Sequence, residues 1–230
     1  MHTPALTILT LLATQTFGQQ NMVGISAGVG VGRLHGRTIM HPSDPTVAFQ
    51  SNSYYNRWSA SGVGFQTQLT VATMGGARNE YLPKSGGFHG PEYQFNFTHF
   101  GLSIGAAYRT PGRFHGVVSL GVMPSFIVSA SSLSRSYYPV PNKEVSTGIG
   151  SEVNRFIIFG YGTVGAGYHF KGPVTIGLFA RYDRGLSPLS TYNFFQSQNI
   201  KEACWTVSAT VACRWRRKQT GTLQNGTKDH

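Results

Sequence analysis

Residues 204–215, CWTVSATVACRW, alternate between two kinds of side chain. One face is apolar and has a tryptophan at each end: Trp205, Val207, Ala209, Val211, Cys213 and Trp215. A period of two residues indicates a β-strand. At ~3.4 Å per residue and a tilt of about 40°, the two tryptophans are separated by roughly 26 Å along the membrane normal, close to the ~25 Å apolar band of an outer-membrane barrel. This stretch therefore predicts a transmembrane strand whose apolar face contacts lipid.

The length of the chain sets the size of the predicted barrel. It has 230 residues, of which 12% are charged, 13% are aromatic and 29 are glycines. A span of about 10 residues plus its connection uses roughly 20 to 25 residues. We therefore predict an all-β fold, an eight-stranded antiparallel transmembrane β-barrel of the outer-membrane type, preceded by a signal peptide.

Three segments are predicted along the chain. Residues 1–20 have an apolar stretch, Ala5 to Ala13, followed by the small residues Thr16 and Gly18, which is typical of a secretory signal peptide. Residues 21–216 are assigned to the barrel and residues 217–230 to a flexible periplasmic tail. The remainder of the chain has no apolar run of about 18 residues, so no ordinary transmembrane helix is expected.

Alternation and turn residues predict the strand positions. Gly75-Gly76, Pro111-Gly112 and Gly172-Pro173 predict tight turns. The segment from His35 to Arg57 is interpreted as a polar connection, and a change of parity near Thr98-His99 predicts a β-bulge. The predicted strands are Val23–Leu34, Val63–Val71, about Ala77–Lys84, Glu92–Arg109, Phe114–Ser129, Glu152–Phe170, Val174–Asp183 and Cys204–Trp215.

Long and tight connections alternate in this assignment. Outer-membrane barrels have short periplasmic turns and longer outer loops, so both termini are expected in the periplasm. The same assignment sorts aromatic residues into belts at the two ends of the strands. The predicted aromatic girdle comprises Trp205, Trp215, Tyr108, Phe114, Tyr168, Phe170 and Tyr182.

Charge and cysteine content bear on possible partners. The formal net charge is +11, but the cations are scattered over strand ends and loops, so we expect basic rims beside lipid phosphates and no nucleic-acid binding. Cys204 and Cys213 lie nine residues apart on opposite faces of one strand and cannot form a disulfide within it. No cofactor is expected. His99, His115 and His169 show no metal-binding spacing, so no metal site is expected.

A polar network is predicted inside the barrel. Arg181 and Asp183 share the inward face of one strand, and pairing about the Gly172-Pro173 turn places Tyr161 opposite Asp183 and Thr163 opposite Arg181. Two interpretations stay open. The network either lines a path for ions or solutes, or it fills a lumen that is too narrow to conduct.

Enzyme activity is not expected. The carboxylates in or near the predicted outer strand ends are Glu92, Glu152, Asp183 and Glu202, and none is accompanied by a nucleophile with a partner base. The predicted outer loops contain Ser51–Trp58, Ser136-Tyr137-Tyr138 and Thr191–Phe195, which are rich in tyrosine, serine and asparagine. Such loops suit binding of a partner protein or glycan, or anchoring in the membrane interface.

The chain resembles the outer-membrane β-barrel domain family of Bacteroidota, the PorT-like small barrels. The resemblance rests on Phe17-Gly18-Gln19-Gln20, the strand pair Phe100–Arg109 and Phe114–Ser129, Gly121–Ser125 and the final amphipathic strand. It implies a structural or partner-binding role in the outer membrane, including an accessory role in a protein-secretion or assembly machine. A narrow porin-like solute channel and an outer-membrane lipid-modifying enzyme are the alternatives. Outer-membrane lipids are expected partners in each case.

Overall fold

The computed structural model describes residues 20–35, 44–79, 92–136, 143–151, 153–189 and 200–216. Nine β-strands occur in these ranges. They are β1 (Gln20–His35), β2 (Thr46–Trp58), β3 (Val63–Asn79), β4 (Glu92–Arg109), β5 (Phe114–Ser136), β6 (Lys143–Gly148), β7 (Phe156–His169), β8 (Val174–Gly185) and β9 (Lys201–Arg216).

Eight of these strands form a closed antiparallel barrel. Each pairs with its neighbours in chain order, and β1 closes the sheet by pairing with β9 from Gln20 opposite Arg216 to His35 opposite Lys201. The short strand β6 pairs with the end of β5, Ser131–Ser136, beyond the part of β5 that pairs with β7. The strand β6 therefore extends one wall and is not a ninth barrel strand. The predicted all-β, eight-stranded antiparallel barrel is confirmed.

The sides of the sheet are reversed relative to a soluble barrel. Large apolar side chains point outward, and Leu120, Ile25 and Val128 are 66%, 65% and 70% exposed. Polar side chains such as Gln50 and Thr206 point inward and are buried. On β9, Trp205 and Trp215 are exposed as predicted, Cys213 is exposed on their face, and Cys204 is buried on the other. The predicted inside-out pattern of this strand is correct.

The predicted polar connection from His35 to Arg57 is wrong over most of its length. Residues Thr46–Trp58 form β2, which pairs with both β1 and β3. The outward face of β2 mixes apolar Val47 and Phe49 with serines, and its inward face carries amides, so neither face is uniformly apolar. The predicted loop Ser51–Trp58 therefore belongs to the barrel wall.

The predicted turn at Gly75-Gly76 is also wrong. The strand β3 continues through both glycines, and Gly75 pairs with Asn96 on β4. A Cβ at Gly75 would overlap the carbonyl oxygen of Phe95, so glycine is required here by close packing of two backbones. The separate strand predicted over about Ala77–Lys84 is the end of β3 as far as Asn79, and residues 80–84 lie outside the described part of the chain.

The segment between the predicted strands Phe114–Ser129 and Glu152–Phe170 is partly sheet. The strand β5 continues to Ser136 and pairs there with β6. The next barrel strand begins at Phe156 instead of Glu152.

The bulge predicted near Thr98-His99 is confirmed by a register shift between these residues in the β4–β5 pair. The extra residue lies on β5, because Thr98 pairs with Ser129 and His99 with Ile127, which leaves Val128 unpaired. The alternation of β4 is therefore not interrupted. Its early aromatics Phe95 and Phe97 point inward, so the change of parity predicted for this strand does not occur.

The two ends of the barrel differ in their connections. At one end, called the turn end, strands are joined by residues 59–62, 110–113 and 170–173. The opposite end, called the loop end, has the longer connections. Among the described residues, no helix is long and apolar enough to span a membrane.

Several predicted segments lie outside the described residues. They are the signal peptide over residues 1–19, the loop positions Tyr137-Tyr138 and Thr191–Phe195, Glu152, and the tail over residues 217–230. Gln20, the last residue of the predicted signal segment, is the first residue of β1.

The close approach at Gly75 gives a stability prediction. Substitution Gly75→Val should lower the free energy of unfolding by about 1–3 kcal/mol, because an added side chain overlaps the backbone of β4. Gly172→Val is the control, since nothing lies within 4 Å of a Cβ at that turn position. Urea unfolding in detergent micelles, followed by tryptophan fluorescence, measures both. Equal stability of the two variants would contradict the packing role of Gly75.

Candidate functional site inside the barrel

The loop end of the lumen is filled by an apolar plug. Its members come from seven strands and from positions 149, 153, 189 and 200 in the connections, so they close over the lumen from several directions. The plug contains Leu34, Ala48, Ala72, Met74, Phe95, Phe97, Met123, Ile127, Ala130, Ile149, Val153, Ile157, Phe159, Tyr161, Leu189, Ile200 and Cys204.

A buried ion pair lies directly below this plug. Arg181 Nη2 donates a hydrogen bond of 2.6 Å to Asp183 Oδ1, and Arg181 Nε donates to both carboxylate oxygens at 2.9 Å. The two residues are 3% and 1% exposed. Two charges at this depth are stable only when their hydrogen-bonding groups find partners, so the surrounding side chains decide whether the pair is tolerated.

Arg181 finds these partners on four other strands. Its Nη1 donates to Gln68 Oε1 at 2.6 Å, and its Nη2 contacts Ser103 Oγ at 3.1 Å and Met123 Sδ at 3.4 Å. The ring of Tyr161 lies 4.3 Å from the guanidinium carbon, which adds a cation–π contact. One side chain thus connects β3, β4, β5, β7 and β8 across the lumen.

The strand register around this pair is the predicted one. Tyr161 lies opposite Asp183, and Thr163 lies opposite Arg181. The structure brings Tyr161 into the network through its ring, whereas its hydroxyl has no hydrogen-bond partner among the described residues. Thr163 Oγ1 likewise has none there, so Thr163 flanks the network without joining it.

Three partners of Arg181 were not predicted from the sequence. Gln68, Ser103 and Met123 lie on β3, β4 and β5 and meet Arg181 only across the closed barrel. The alternation of apolar and polar residues along β3 assigns Gln68 to the polar inward face. This alternation does not determine which residue of β8 lies opposite Gln68 across the lumen.

A small polar chamber lies between the ion pair and the turn end. Tyr54 Oη and Thr210 Oγ1 are 2.6 Å apart, and Asn52 Nδ2 donates to Ser26 Oγ at 3.0 Å. The chamber has a volume of about 40 Å³, and a water molecule needs roughly 10–15 Å³ on this measure. It therefore has room for a few waters. Its lining also carries unpaired polar atoms on Asn56, Gln66, Ser119 and Thr163.

The turn end of the lumen is closed by a floor of aromatic and basic side chains. The Arg109 guanidinium lies 5.0 Å from the ring centre of Trp58, and its Nη2 donates to Gln20 Oε1 at 2.6 Å. Arg109 Nη1 is 3.4 Å from His169 Nε2, and His169 stacks on His115 with ring centres 4.0 Å apart. The floor therefore joins residues of β1, β2, β4, β5 and β7.

The third strand histidine, His99, lies away from this pair. Its Nε2 is 3.0 Å from Glu202 Oε2, and both side chains are buried within the plug region. Among the described residues, no three histidine, cysteine, aspartate or glutamate side chains are grouped to hold a metal ion.

Two of the four carboxylates near the predicted outer strand ends are described, and both are buried inside the barrel. Asp183 is in the ion pair with Arg181, and Glu202 is buried beside His99. The side chain of Glu92 and the whole of Glu152 lie outside the described part of the structure.

The residues of the predicted aromatic girdle lie at the two ends of the barrel. Tyr182 and Trp205 are in contact near the loop end, with ring centres 4.5 Å apart. Tyr168 and Phe170 contact each other edge to face near the turn end, at 5.1 Å. Tyr108, Phe114 and Trp215 are also exposed near the turn end. We predict that these two aromatic belts mark the two membrane interfaces.

The ion pair gives a second prediction. Arg181→Met should lower the free energy of unfolding by about 3–5 kcal/mol, because it leaves Asp183 buried without its charge partner. The double variant Arg181→Met/Asp183→Leu should recover a large part of this loss, since both charges are gone. Urea unfolding in micelles measures all three proteins. A double variant as unstable as the single one would show that the unpaired charge is not the cause.

Comparison with known proteins gives only distant likenesses. No family model and no curated protein matches the chain. Solved structures that it resembles include Neisserial surface protein A, with 10% identity and a TM-score of 0.46 over 84% of this chain and 97% of that one. OprG of Pseudomonas aeruginosa has 9% identity and a TM-score of 0.46 over 87% and 97% of the two chains. A major outer membrane protein of Thermus thermophilus has 13% identity and a TM-score of 0.47 over 86% and 100%. The fold assignment rests on the strand pairing of this chain itself.

Proposed function

We propose that this chain is a small barrel protein of a bacterial outer membrane. The observation that carries the proposal is the belt of exposed apolar side chains around a closed sheet with a polar interior. A soluble barrel buries its apolar face, because exposed apolar area of this extent is unfavourable in water. Hydrocarbon is the environment in which this arrangement is stable, since closure leaves no barrel strand edge unpaired.

The proposed orientation places the turn end and both termini in the periplasm. Outer-membrane barrels have short turns on that side and longer loops outside. The ends of β1 and β9, Gln20 and Arg216, pair with each other at the turn end, which supports this orientation. The net charge of +11 then suits a rim that faces lipid phosphates.

Within the membrane, we assign the barrel a structural or partner-binding role. The plug, the ion pair with Arg181 and the floor with Arg109 fill the lumen at three levels, which argues against free passage of solutes. The wall formed by β5 and β6 continues beyond the level at which β7 begins, and offers a surface at the loop end for a partner protein or glycan. The resemblance to PorT-like barrels makes an accessory role in a protein-secretion or assembly machine the specific proposal.

Asp183, one of the carboxylates near the predicted outer strand ends, is not placed for a lipid-modifying activity. Asp183 is almost fully buried and holds both carboxylate oxygens against Arg181, so it has no access to a substrate at the rim. The proposal is therefore non-enzymatic.

Quenching of tryptophan fluorescence by brominated lipids tests the membrane assignment. The chain has three tryptophans: Trp205 and Trp215 face outward, and Trp58 is 1% exposed within the lumen. In vesicles, a variant that keeps only Trp205 or only Trp215 should be quenched, more strongly by bromines near the headgroup than by bromines near the chain end. The variant that keeps only Trp58 is the internal control and should be quenched least.

Two results would contradict the membrane assignment. One is equal quenching of all three single-tryptophan variants. The other is a mature protein that stays monodisperse in buffer without detergent.

Planar-bilayer recording tests the non-conducting role. The wild-type protein should give no stable openings, because the plug, the ion pair with Arg181 and the floor with Arg109 fill the lumen at three levels. A porin added to the same membrane is the positive control. Stable openings of the wild-type protein would instead favour a narrow solute channel.

A further inference from the structure

The turn end of the barrel contains a second cavity, outside the closed lumen. It is an open recess of about 580 Å³ between the turns 59–62 and 110–113 and the adjoining strand ends. We call it the turn-end recess. Its polar lining includes Gln20, Arg109, Arg113, His169 and Arg214.

The lining is dominated by hydrogen-bond donors. Three guanidinium groups converge on it from β4, the following turn and β9. Arg214 Nη2 donates to the carbonyl oxygens of Phe170 and Gly172 at 3.1 and 3.3 Å, which fixes its side chain at the edge of the recess. Guanidinium groups held in this way suit tetrahedral oxyanions, because they offer several N–H groups in a rigid plane.

An unpartnered buried donor provides a second, independent observation. Gln20 is 6% exposed, and its Oε1 accepts the hydrogen bond from Arg109 Nη2 at 2.6 Å. That bond fixes the orientation of the amide. Gln20 lines the recess, and its Nε2 has no hydrogen-bond partner among the described residues. A buried N–H₂ group without an acceptor is unfavourable, so an anion beside it would stabilise the site.

No described carboxylate competes for these donors. The acidic side chains that the structure describes are Asp44, Asp183 and Glu202. Asp183 and Glu202 are buried near the loop end, and Asp44 bridges to Ala77 at that same end. The turn-end recess is therefore positively charged, and none of the described acidic side chains lies near it.

A smaller recess beside this site shares two of its lining residues. It has a volume of about 390 Å³, shares Gln20 and Arg214 with the turn-end recess, and is also lined by Trp215. Trp215 is exposed on the outward face of β9. A molecule held at the two shared residues could place a charged group in the recess and an apolar group along the barrel wall.

We propose that the turn-end recess is a binding site for a phosphate group, with the headgroup of a phospholipid in the periplasmic leaflet as its source. The lipid source rests on the proposed membrane function, whereas the phosphate chemistry does not. Arg113, Arg214 and the free Nε2 of Gln20 contact the phosphate oxygens. Arg109 holds the Gln20 amide in place.

Binding by the detergent-solubilised protein, expressed without residues 1–19 so that Gln20 is kept as the first residue of β1, tests this proposal. Native mass spectrometry measures the affinity for phosphatidylglycerol, and ³¹P line broadening measures the affinity for inorganic phosphate. The variant Arg113→Gln/Arg214→Gln should weaken binding about tenfold or more, because each arginine makes charge-assisted hydrogen bonds. Arg113→Gln alone, at an exposed position, gives a second variant with little risk to folding.

The matched control is Arg57→Gln/Lys171→Gln. It removes two exposed positive charges at the same end of the barrel, and neither residue lines the recess. This control should bind as tightly as the wild-type protein. An equal loss in both double variants would overturn the proposal in favour of diffuse rim charge. A protein that binds neither phosphatidylglycerol nor inorganic phosphate would also overturn it.

The two probes distinguish the sources of the phosphate. Tight binding of phosphatidylglycerol with weak binding of inorganic phosphate supports the lipid. Binding of inorganic phosphate alone supports the site and overturns the lipid source. Because both measurements are made in micelles, failure of the site is distinct from failure of the membrane assignment, which the quenching experiment tests.

Discussion

The pairing of β1 with β9 is the constraint on which the rest of the structure depends. It closes the sheet, so each of the eight barrel strands has a neighbour on both sides. In hydrocarbon, an unpaired strand edge would leave backbone N–H and C=O groups without partners, at a cost of several kcal/mol for each group. Closure thus allows the outward face to be apolar everywhere, because no backbone polar group on that face needs water.

Closure with eight strands also makes the lumen narrow, and the inward residues follow from this. The inward face of β1 has glycines at 24, 28, 30 and 32, and a Cβ at Gly30 would overlap the backbone of β9. The space that these glycines leave in the lumen is filled by large side chains on other strands. The largest are Trp58, Phe97 and Phe159, which are fully buried. The remaining inward polar groups need hydrogen-bond partners from within the lumen. The Arg181 side chain provides such contacts between five strands.

The two ends of the barrel have different chemistry. The loop end combines an apolar plug with the buried pairs Arg181–Asp183 and His99–Glu202. The turn end has a floor centred on Arg109 and an open recess with further arginines, and no described carboxylate lies there. This asymmetry separates the two proposed interactions, with lipid phosphates at the turn end and with a partner at the loop end, on either side of a filled interior.

The sequence by itself determined the fold class, because a period of two with a tryptophan at each end of 204–215 indicates both a strand and the environment of each face. It also gave the register of Tyr161 with Asp183, since a tight turn fixes the pairing of the strands beside it. The register shift at Thr98-His99 was located correctly, but its extra residue lies on β5 and not on β4. Only the tertiary structure decided that Thr46–Trp58 is a strand, because its mixed outward face and amide-rich inward face have no apolar alternation. It also decided that Gly75 marks close packing and not a turn, and that Gln68 meets Arg181, 113 residues away. Alternation assigns a residue to a face of the sheet, but contacts across a lumen depend on the stagger of all the strands, which no local pattern contains.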